Sequence, residues 1–319
     1  MAFRKIIRIL NEKHRFLITT HVNPDADGIC SELAMAEYLR SLGKGVVVVN
    51  EEELPQRYRF LPGATRIKSY KEGMKIDYDA AIILDCGDSL RIGRVNALIK
   101  EEKILINIDH HITNDSFGGI NLIRPEASST AELIYQLLKE AHHPLNKRLA
   151  MYLYAGIMTD TGSFRFDNTT AATHKIAAEL LSFDFSVDEL YRRFYECVSI
   201  DDLRAFARLV SRFDVLFSGK LICLDLRKTV LAHFSKDFDI RNAIFRFLRA
   251  IAGVEVFVVF TEQARARTRV NLRSTGRVNV ARLACYFKGG GHRKASGCTI
   301  YTGIKEARRL MLEQIEKVL

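Results

Sequence analysis

The sequence lacks any apolar stretch long enough to cross a membrane. Apolar-rich stretches such as 46–49 and 254–260 fall far short of the ~18 residues that a membrane span needs. Residues 1–8 mix charges with apolar side chains and contain no signal-peptide h-region. The 319 residues are 48% hydrophobic and 27% charged, which is ordinary for a protein with a buried core. We therefore expect a soluble cytoplasmic protein of about two domains, and neither a secreted nor a membrane-anchored one.

Paired cysteines are also absent. The six cysteines occur singly and form no CxxC motif, so we expect buried thiols in a reducing cytoplasm: Cys30, Cys86, Cys197, Cys223, Cys285 and Cys298. The chain has no GxSxG motif, which argues against a serine nucleophile, and no GxxxxGK[ST] loop, which argues against hydrolysis of nucleoside triphosphates.

Positive charge is concentrated in the last hundred residues. The chain has a net charge of +10, yet residues 220–319 contain 20 Lys and Arg against 8 Asp and Glu, and residues 1–219 contain 28 against 30. An excess of this kind attracts polyanions such as nucleic acids and nucleotides. A solvated, arginine-rich surface without a ligand is the alternative interpretation.

Short apolar runs alternate with helical patterns in the first half of the chain. Buried parallel strands are predicted at 16–20, 45–49, 80–84 and 104–108. Helices are predicted at 29–42, 129–141, 147–159 and 171–181. This alternation predicts an α/β domain with a mostly parallel, doubly wound sheet and helices on both faces.

The rest of the chain predicts a connector and a smaller second domain. Residues 186–213 are polar, helical in pattern and free of glycine and proline, so we expect a helical connector. We predict a catalytic domain at 1–185, the connector at 186–215 and an α+β domain at 216–319. The last of these should contain strands near 220–226, 254–261, 268–272 and 297–301, helices at 278–287 and 304–318, and a glycine turn at 289–291.

Acidic residues and histidines cluster where four buried elements end. The four segments are HVNPDADG (21–28), LDCGD (84–88), DHH (109–111) and TDTG (159–162). The carboxyl ends of parallel strands line one crevice, so we expect these side chains to converge. An aspartate that follows a strand is, taken alone, more often a helix cap or a turn residue. The joint arrangement of four segments favours a shared site.

The expected site is strongly acidic. Four carboxylates would repel one another in a partly dry cleft, and a positive charge must offset them: Asp25, Asp27, Asp85 and Asp160. Carboxylates mixed with imidazoles suit manganese, iron or zinc better than calcium. The number of candidate ligands exceeds what one small ion takes. It fits two ions bridged by one carboxylate, which is the arrangement of two-metal phosphoryl-transfer enzymes.

The four segments resemble the motifs of the DHH phosphoesterase superfamily, in order and in spacing. The later sequence GGGHRKASG, 289–297, resembles the nucleic-acid-binding module that accompanies one branch of this superfamily. The compact two-domain layout is most similar to the bifunctional nanoRNases and 3′-phosphoadenosine-5′-phosphate (pAp) phosphatases. Together the two matches span nearly the whole chain.

The resemblance implies a role for each matching residue. It implies a first ion held by His21, Asp25 and Asp85, and a second held by Asp27, Asp85, His110 and Asp160. His111 would face the scissile phosphate as anion stabiliser or proton donor, and Asp109 would orient a neighbouring histidine. The adjacent His110 and His111 could exchange roles. The implied nucleotide-binding set is Arg273, Ser274, Gly290, Gly291 and His292.

The resemblance also implies a reaction. We expect manganese-dependent hydrolysis of very short RNA to mononucleotides and of pAp to AMP, by a protein that is a homodimer. A phosphodiesterase for a cyclic dinucleotide, or for its linear product, needs the same metal pair and stays open as the alternative. Single-strand DNA exonucleases of this type carry further domains, and a pyrophosphatase would not need the GGGH module. A non-catalytic RNA-binding regulator is the remote alternative, and it should lack a metal ligand.

Overall fold

The computed structural model describes residues 2–196, 198–235 and 238–319. They divide into two compact units, and the division falls between positions 196 and 197. That point lies inside the predicted connector, whose two helices therefore belong to different units. Helix α6 (Val187–Tyr195) belongs to the first unit, and helix α7 (Ile200–Val210) belongs to the second.

The described part of the first unit contains a six-stranded, wholly parallel sheet with strand order β3-β2-β1-β4-β5-β6. Its strands are β1 (Arg15–Thr19), β2 (Gly45–Asn50), β3 (Lys68–Ser69), β4 (Ala80–Leu84), β5 (Ile104–Asp109) and β6 (Ile120–Ile123). The strand order reverses between β1 and β4, as in doubly wound folds. The predicted fold class is confirmed.

Helices cover the strands of this sheet, which are apolar on both faces. The helices are α1 (Ala2–Glu12), α2 (Ala26–Ser41), α3 (Thr130–Glu140), α4 (Lys147–Asp160), α5 (Ala171–Leu181) and α6. Successive side chains of a strand point to opposite faces. Phe16 and Ile18 of β1 accordingly enter the larger core with helices α1 to α5, and Leu17 enters a smaller core with Tyr78 and Val95.

The described part of the second unit contains a mixed six-stranded sheet with strand order β11-β12-β10-β9-β8-β7, in which only β8 and β9 are parallel. Its strands are β7 (Asp214–Leu216), β8 (Leu221–Leu226), β9 (Val256–Ala264), β10 (Arg267–Ser274), β11 (Gly290–His292) and β12 (Ala295–Ile300). The helices are α7, α8 (Lys228–Leu231), α9 (Ile240–Leu248), α10 (Val280–Tyr286) and α11 (Ile304–Glu316). The predicted α+β class agrees with this arrangement.

The cysteines depart from the prediction at one position. Four of them are buried free thiols, namely Cys30, Cys86, Cys223 and Cys298. Cys285 is exposed, so the prediction of burial was wrong there, and Cys197 lies outside the described residues. Among the helices that the structure describes, none has both the length and the apolar character that a bilayer crossing requires.

Candidate metal centre

The first strand delivers His21 and Asp25 to the carboxyl edge of the sheet. Asp25 is the N-cap of α2, and its Oδ1 accepts a hydrogen bond from the Gly28 amide at 3.1 Å. The other oxygen, Oδ2, lies 3.9 Å from His21 Nε2. His21 Nδ1 donates to the Val22 carbonyl at 2.8 Å, because a carbonyl can only accept. The Nε2 atom is therefore the one that faces the carboxylates.

Asp85 lies between two histidines. It follows the last residue of β4 and has a left-handed backbone, with φ of 55°. Its Oδ2 lies 3.6 Å from His21 Nε2, and its Oδ1 lies 3.5 Å from His110 Nε2. The Thr130 hydroxyl donates to Oδ1 at 3.0 Å and fixes the carboxylate. A carboxylate in this position can contact two ions at once.

His110 faces a second carboxylate, that of Asp160 at the end of α4. Its Nε2 lies 3.5 Å from Asp160 Oδ2, and its Nδ1 donates to the Ala127 carbonyl at 3.3 Å. His110 is only 3% exposed, so the ring is fixed among these partners. As in His21, the backbone carbonyl accepts a hydrogen bond from Nδ1–H, so the Nε2 atom faces the carboxylates.

Asp27 completes the group from the first turn of α2. Its carboxylate accepts the amides of Thr130 at 2.7 Å and Ala131 at 3.0 Å, which begin α3. The positive end of that helix therefore stabilises a buried negative charge. One Asp27 oxygen lies within 4.8 Å of ligand atoms of both His110 and Asp160.

The charges at this site favour a metal. Burial raises the pKa of Asp27 well above its usual range, and the carboxylates of Asp85 and Asp160 raise it further. Burial raises the pKa of Asp160 to about 6. Burial lowers the pKa values of His21 and His110, yet the facing carboxylates raise them overall to about 10 and about 9. Without an ion, protons therefore balance the carboxylates, and divalent cations can displace them.

The donor set also fits divalent ions in its composition and grouping. Three groups of this unit have ligand atoms that all lie within 4.8 Å of one another: His21, Asp25 and Asp85; Asp27, His110 and Asp160; and Asp85, Asp109 and His111. The first two contain the residues that the resemblance assigns as ligands. Mixed imidazole and carboxylate donors without thiolates suit manganese, iron or zinc. Asp85 Oδ1, which is close to His110, links the first group to the second.

His111 differs from His110 in its partners. Its Nδ1 lies 2.7 Å from Asp109 Oδ1, a hydrogen bond to a fully buried carboxylate. Burial by itself raises the pKa of Asp109, but the contacts with His111 and Asn114 hold it well below its usual range. Asp109 is thus an anion that orients the imidazole of His111.

The predicted nucleotide-binding residues lie on three neighbouring strands of the second unit. Arg273 on β10 pairs with Ala295 on β12, which in turn pairs with His292 on β11. The guanidinium carbon of Arg273 lies 4.7 Å from the centre of the Phe245 ring, in a cation–π contact. The buried Ser274 Oγ has no hydrogen-bond partner within the described residues.

The glycine-rich segment does not form the predicted turn. Gly290–His292 forms the edge strand β11, and the turn comes later, at residues 293 and 294. Glycine is needed here because the strands lie close together. A Cβ on Gly289 would lie 2.3 Å from the Gly297 carbonyl oxygen, and Gly291 has a φ of 131°. The glycines therefore allow backbone contact across a hairpin.

Family comparison agrees with this architecture. Residues 15–157 match the DHH family, N-terminal domain, and residues 226–319 match the DHHA1 domain. A Thermus thermophilus protein named bifunctional oligoribonuclease and PAP phosphatase NrnA is 31% identical over 306 residues, which cover 95% of this chain and 89% of the relative. This chain belongs to the DHH family. The predicted family is thereby confirmed.

Further DHH-family relatives span the same length. The Bacillus subtilis protein of the same name is 30% identical over 315 residues, 97% of this chain and 96% of the relative. A Bacteroides fragilis exopolyphosphatase-related protein has a similar solved structure, with a TM-score of 0.88, 27% identity and coverage of 99% of this chain and 96% of that one. Cyclic-di-AMP phosphodiesterase GdpP of Bacillus subtilis is 25% identical, and the match covers 95% of this chain but 47% of GdpP.

Several residues that build this DHH site were not predicted from the sequence. Thr130 fixes Asp85, and Asn107 and Asn114 lie behind Asp109. A polar residue inside the apolar strand ILINID was a signal for Asn107, because a buried amide needs hydrogen-bond partners. Asn114 and Thr130 lie in loop or cap positions where polar residues are common, so the sequence carries no comparable signal for them.

Gly156 on α4 lies against the side chain of Asp27, a candidate metal ligand. A Cβ at this position would lie 2.5 Å from Ala131 Cβ and 2.8 Å from Asp27 Oδ1. We expect Gly156→Ala to destabilise the protein by about 1–3 kcal/mol through overpacking, despite the higher helix propensity of alanine. Urea unfolding of the full chain measures this.

A matched control is Gly119→Ala, since a Cβ there would lie 3.6 Å from its nearest neighbour, the Leu105 carbonyl oxygen. This variant should stay within about 0.5 kcal/mol of the parent protein. Equal stabilities for the two variants would contradict the close helix contact at Gly156.

Proposed function

We propose that this chain is a metal-dependent phosphoesterase that hydrolyses very short oligoribonucleotides to mononucleotides and converts pAp to AMP. The observation that carries the proposal is the pair of ligand groups that meet at Asp85. It is supported by relatives of 30–31% identity, matched over nearly their whole length, whose names state an oligoribonuclease and a PAP phosphatase. Both activities break a phosphoester bond of a nucleotide, so one site can serve both.

The proposed ligands divide as the two groups do. His21, Asp25 and Asp85 would hold one ion, and Asp27, Asp85, His110 and Asp160 would hold the other. Manganese is the proposed metal, because it accepts this mixture of carboxylates and imidazoles. When bound, two such ions neutralise phosphate oxygens and lower the pKa of an attacking water toward ~7.

His111 is the proposed phosphate-facing residue. The contacts of the two adjacent histidines support this assignment. His110 Nε2 lies 3.5 Å from both Asp85 Oδ1 and Asp160 Oδ2, whereas His111 Nδ1 is hydrogen-bonded to Asp109 at 2.7 Å and lies 3.7 Å from Asp85 Oδ1. The hydrogen bond at Nδ1 directs the Nε2 atom of His111 away from Asp109, and on that side we place the substrate phosphate. There it would stabilise the phosphate charge or donate a proton to the leaving oxygen.

The second unit is proposed to select the substrate. Its excess of positive charge, 20 Lys and Arg against 8 Asp and Glu over residues 220–319, suits a phosphate-bearing ligand. We propose that short single-stranded RNA and pAp bind at Arg273, Ser274, Gly290, Gly291 and His292. The buried, unpaired Ser274 hydroxyl supports this, because within the described residues it lacks the partner that a nucleotide would supply.

We further propose that the protein is a homodimer in the reducing cytoplasm, where its five described cysteines stay free.

A side-by-side assay tests the function. The purified chain with manganese is given pAp, di- to pentaribonucleotides, a 24-residue RNA and cyclic di-AMP. We expect phosphate release from pAp, rates that fall steeply from the dinucleotide to the 24-residue RNA, and loss of all activity in EDTA. Restoration by added manganese would identify the ion that the site uses.

The assay also addresses the alternatives. The match to cyclic-di-AMP phosphodiesterase GdpP, at 25% identity, favours a cyclic dinucleotide or its linear product as the second candidate substrate. A preference for either over pAp and diribonucleotides would overturn the proposal. Binding of RNA with no turnover of any compound would instead indicate a non-catalytic RNA-binding protein.

A further inference from the structure

Two asparagines connect the loop that follows β4 with the loop that follows β5. The amide nitrogens of both donate to the same acceptor, the Cys86 carbonyl, at 3.2 Å from Asn107 and 3.1 Å from Asn114. Asn114 Nδ2 also lies 2.9 Å from Asn107 Oδ1. Asn107 is fully buried, so its contacts are shielded from competing water. We call this pair the asparagine clamp.

One side of the clamp ends on Asp109. Asn114 Nδ2 lies 2.6 Å from Asp109 Oδ2, and Asp109 Oδ1 lies 2.7 Å from His111 Nδ1. Each oxygen of this buried carboxylate therefore has its own partner. Removal of the Asn114 contact would free the carboxylate to rotate and would leave one oxygen without that donor.

The other side of the clamp ends beside Asp85. This residue has a left-handed backbone, with φ of 55°, a conformation that residues other than glycine adopt uncommonly and that aspartate tolerates better than most. The carbonyl of the next residue, Cys86, accepts from both asparagines, and the Asp115 amide donates to the Gly87 carbonyl at 3.1 Å. These hydrogen bonds hold the turn that presents Asp85.

We propose that Asn114, supported by Asn107, is a positioning residue that fixes the ring orientation and tautomer of His111 through Asp109. The inference rests on the proposed function insofar as His111 is taken to face the scissile phosphate. Asn114 keeps Asp109 aligned, and Asp109 accepts a hydrogen bond from His111 Nδ1–H, so Nε2 is directed away from that carboxylate. In this tautomer Nε2 is an acceptor, and it becomes a donor to the phosphate or the leaving oxygen when the ring binds a second proton there.

A spectroscopic experiment tests the positioning without any turnover. The full chain, labelled with ¹⁵N-histidine and kept in EDTA at pH 8, is examined by long-range ¹H–¹⁵N correlation, with His111→Gln used to assign the ring. We expect His111 to show one tautomer, protonated at Nδ1, and Asn114→Ala to show a mixture. An unchanged His111 pattern in Asn114→Ala would overturn the proposal.

Asn121→Ala is the matched control. Asn121 orders the same loop, because its Nδ2 donates to the Ser116 and Gly118 carbonyls at 3.0 and 2.7 Å, but it shows no contact with Asp109 within the described residues. We expect its His111 signals to match the parent protein. If Asn121→Ala produces the same tautomer mixture as Asn114→Ala, general loop order is responsible and the proposal fails.

Kinetics provide the second readout. Loss of a partner that orients a catalytic-site residue typically costs 10–100-fold, so Asn114→Ala should lower kcat for pAp by about that factor and leave KM within roughly threefold. If Asn114→Ala fails to fold, Asn114→Leu, which has a similar size and no donor, replaces it in both experiments. A raised KM with unchanged kcat would contradict a positioning role.

The two proposals can fail separately. A parent protein without activity on pAp or diribonucleotides, combined with a tautomer change in Asn114→Ala, would reject the proposed function and retain the positioning role. An active parent protein whose His111 signals do not respond to Asn114→Ala would retain the proposed function and reject the positioning role.

Discussion

Asp85→Ala is expected to lower kcat/KM by ~10³-fold or more for both pAp and short RNA, since it removes several kcal/mol of charge stabilisation. Among the described contacts, Asp85 is the one carboxylate that lies close to both candidate ligand histidines, at 3.6 Å from His21 Nε2 and 3.5 Å from His110 Nε2. Its removal should therefore weaken both ions. Manganese titration by calorimetry should show that both binding events are lost or strongly weakened.

Two control variants show whether the effect of Asp85→Ala is specific to a residue that contacts both ions. His21→Ala should affect chiefly the ion of the first group and should leave one manganese binding event. Within the described part of the chain, the ring of His21 faces Asp25 and Asp85, not Asp27 or Asp160. Asp115→Ala removes an exposed carboxylate from a neighbouring loop and should leave both binding events and the activity unchanged. If Asp85→Ala keeps turnover within tenfold of the parent protein, the bridging role is wrong.

The sheet of the first unit was predictable because its central strands are continuous apolar runs. The strands at 80–84 and 104–108 were predicted almost to the residue, and β4 and β5 occupy Ala80–Leu84 and Ile104–Asp109. The edge strands β3 and β6 have two and four residues, and they have few fully buried side chains. Such strands form because a neighbouring strand offers hydrogen-bonding groups, which no local pattern reveals.

The second unit was less predictable for the same reason. Helix α9, Ile240–Leu248, lies in a stretch for which the sequence pattern predicts no helix or strand, although it buries Ile244 and Leu248 in the core of this unit. The glycine segment was predicted as a turn because glycine is common in turns. Its actual place in strand β11 depends on the close approach of Gly289 to the Gly297 carbonyl, which is a contact between distant parts of a hairpin.

In the candidate site, too, some residues could be predicted from the sequence and others could not. The acidic and histidine side chains follow strand ends, so the topology of a parallel sheet was enough to predict that they converge. The geometry brings His21, Asp25 and Asp85 together, and likewise Asp27, His110 and Asp160. The supporting groups were not predictable, because hydrogen bonds such as those of Thr130 and Asn114 depend on how loops meet in space.

We expect the buried Glu32 on α2 to make the free energy of unfolding depend strongly on pH. Its side chain is fully buried, Oε2 accepts a hydrogen bond from Asn50 at 2.8 Å, and Oε1 has no partner within the described residues. Burial raises the pKa of Glu32 to about 8, although Asn50 and the charge of His21 act in the opposite direction. The folded protein therefore keeps this carboxyl protonated near neutral pH.

The sign follows from proton binding. In the unfolded chain a glutamate ionises near pH ~4.3, whereas the folded protein holds the proton until about pH 8. Between these values the unfolded state binds fewer protons, so the free energy of unfolding falls as the pH rises. At 1.36 kcal/mol for each pH unit, the loss over the whole window is on the order of 5 kcal/mol, of which about 4 kcal/mol falls between pH 5 and pH 9. This is a large part of the usual free energy of unfolding of about 5–15 kcal/mol.

Glu32→Gln separates this effect from packing, because glutamine has the shape of the protonated acid and does not ionise. In metal-free protein we expect the variant to match the parent protein at pH 5 and to be more stable by roughly 4 kcal/mol at pH 9, as measured by urea unfolding. Glu37→Gln on the same helix is the control, since Glu37 forms a surface ion pair with Arg148 at 3.4 Å and should change stability by less than about 1 kcal/mol at either pH. A difference between Glu32→Gln and the parent protein that stays constant from pH 5 to pH 9 would mean that Glu32 is ionised in the folded protein, and that an ordered water or a cation satisfies the oxygen left without a partner.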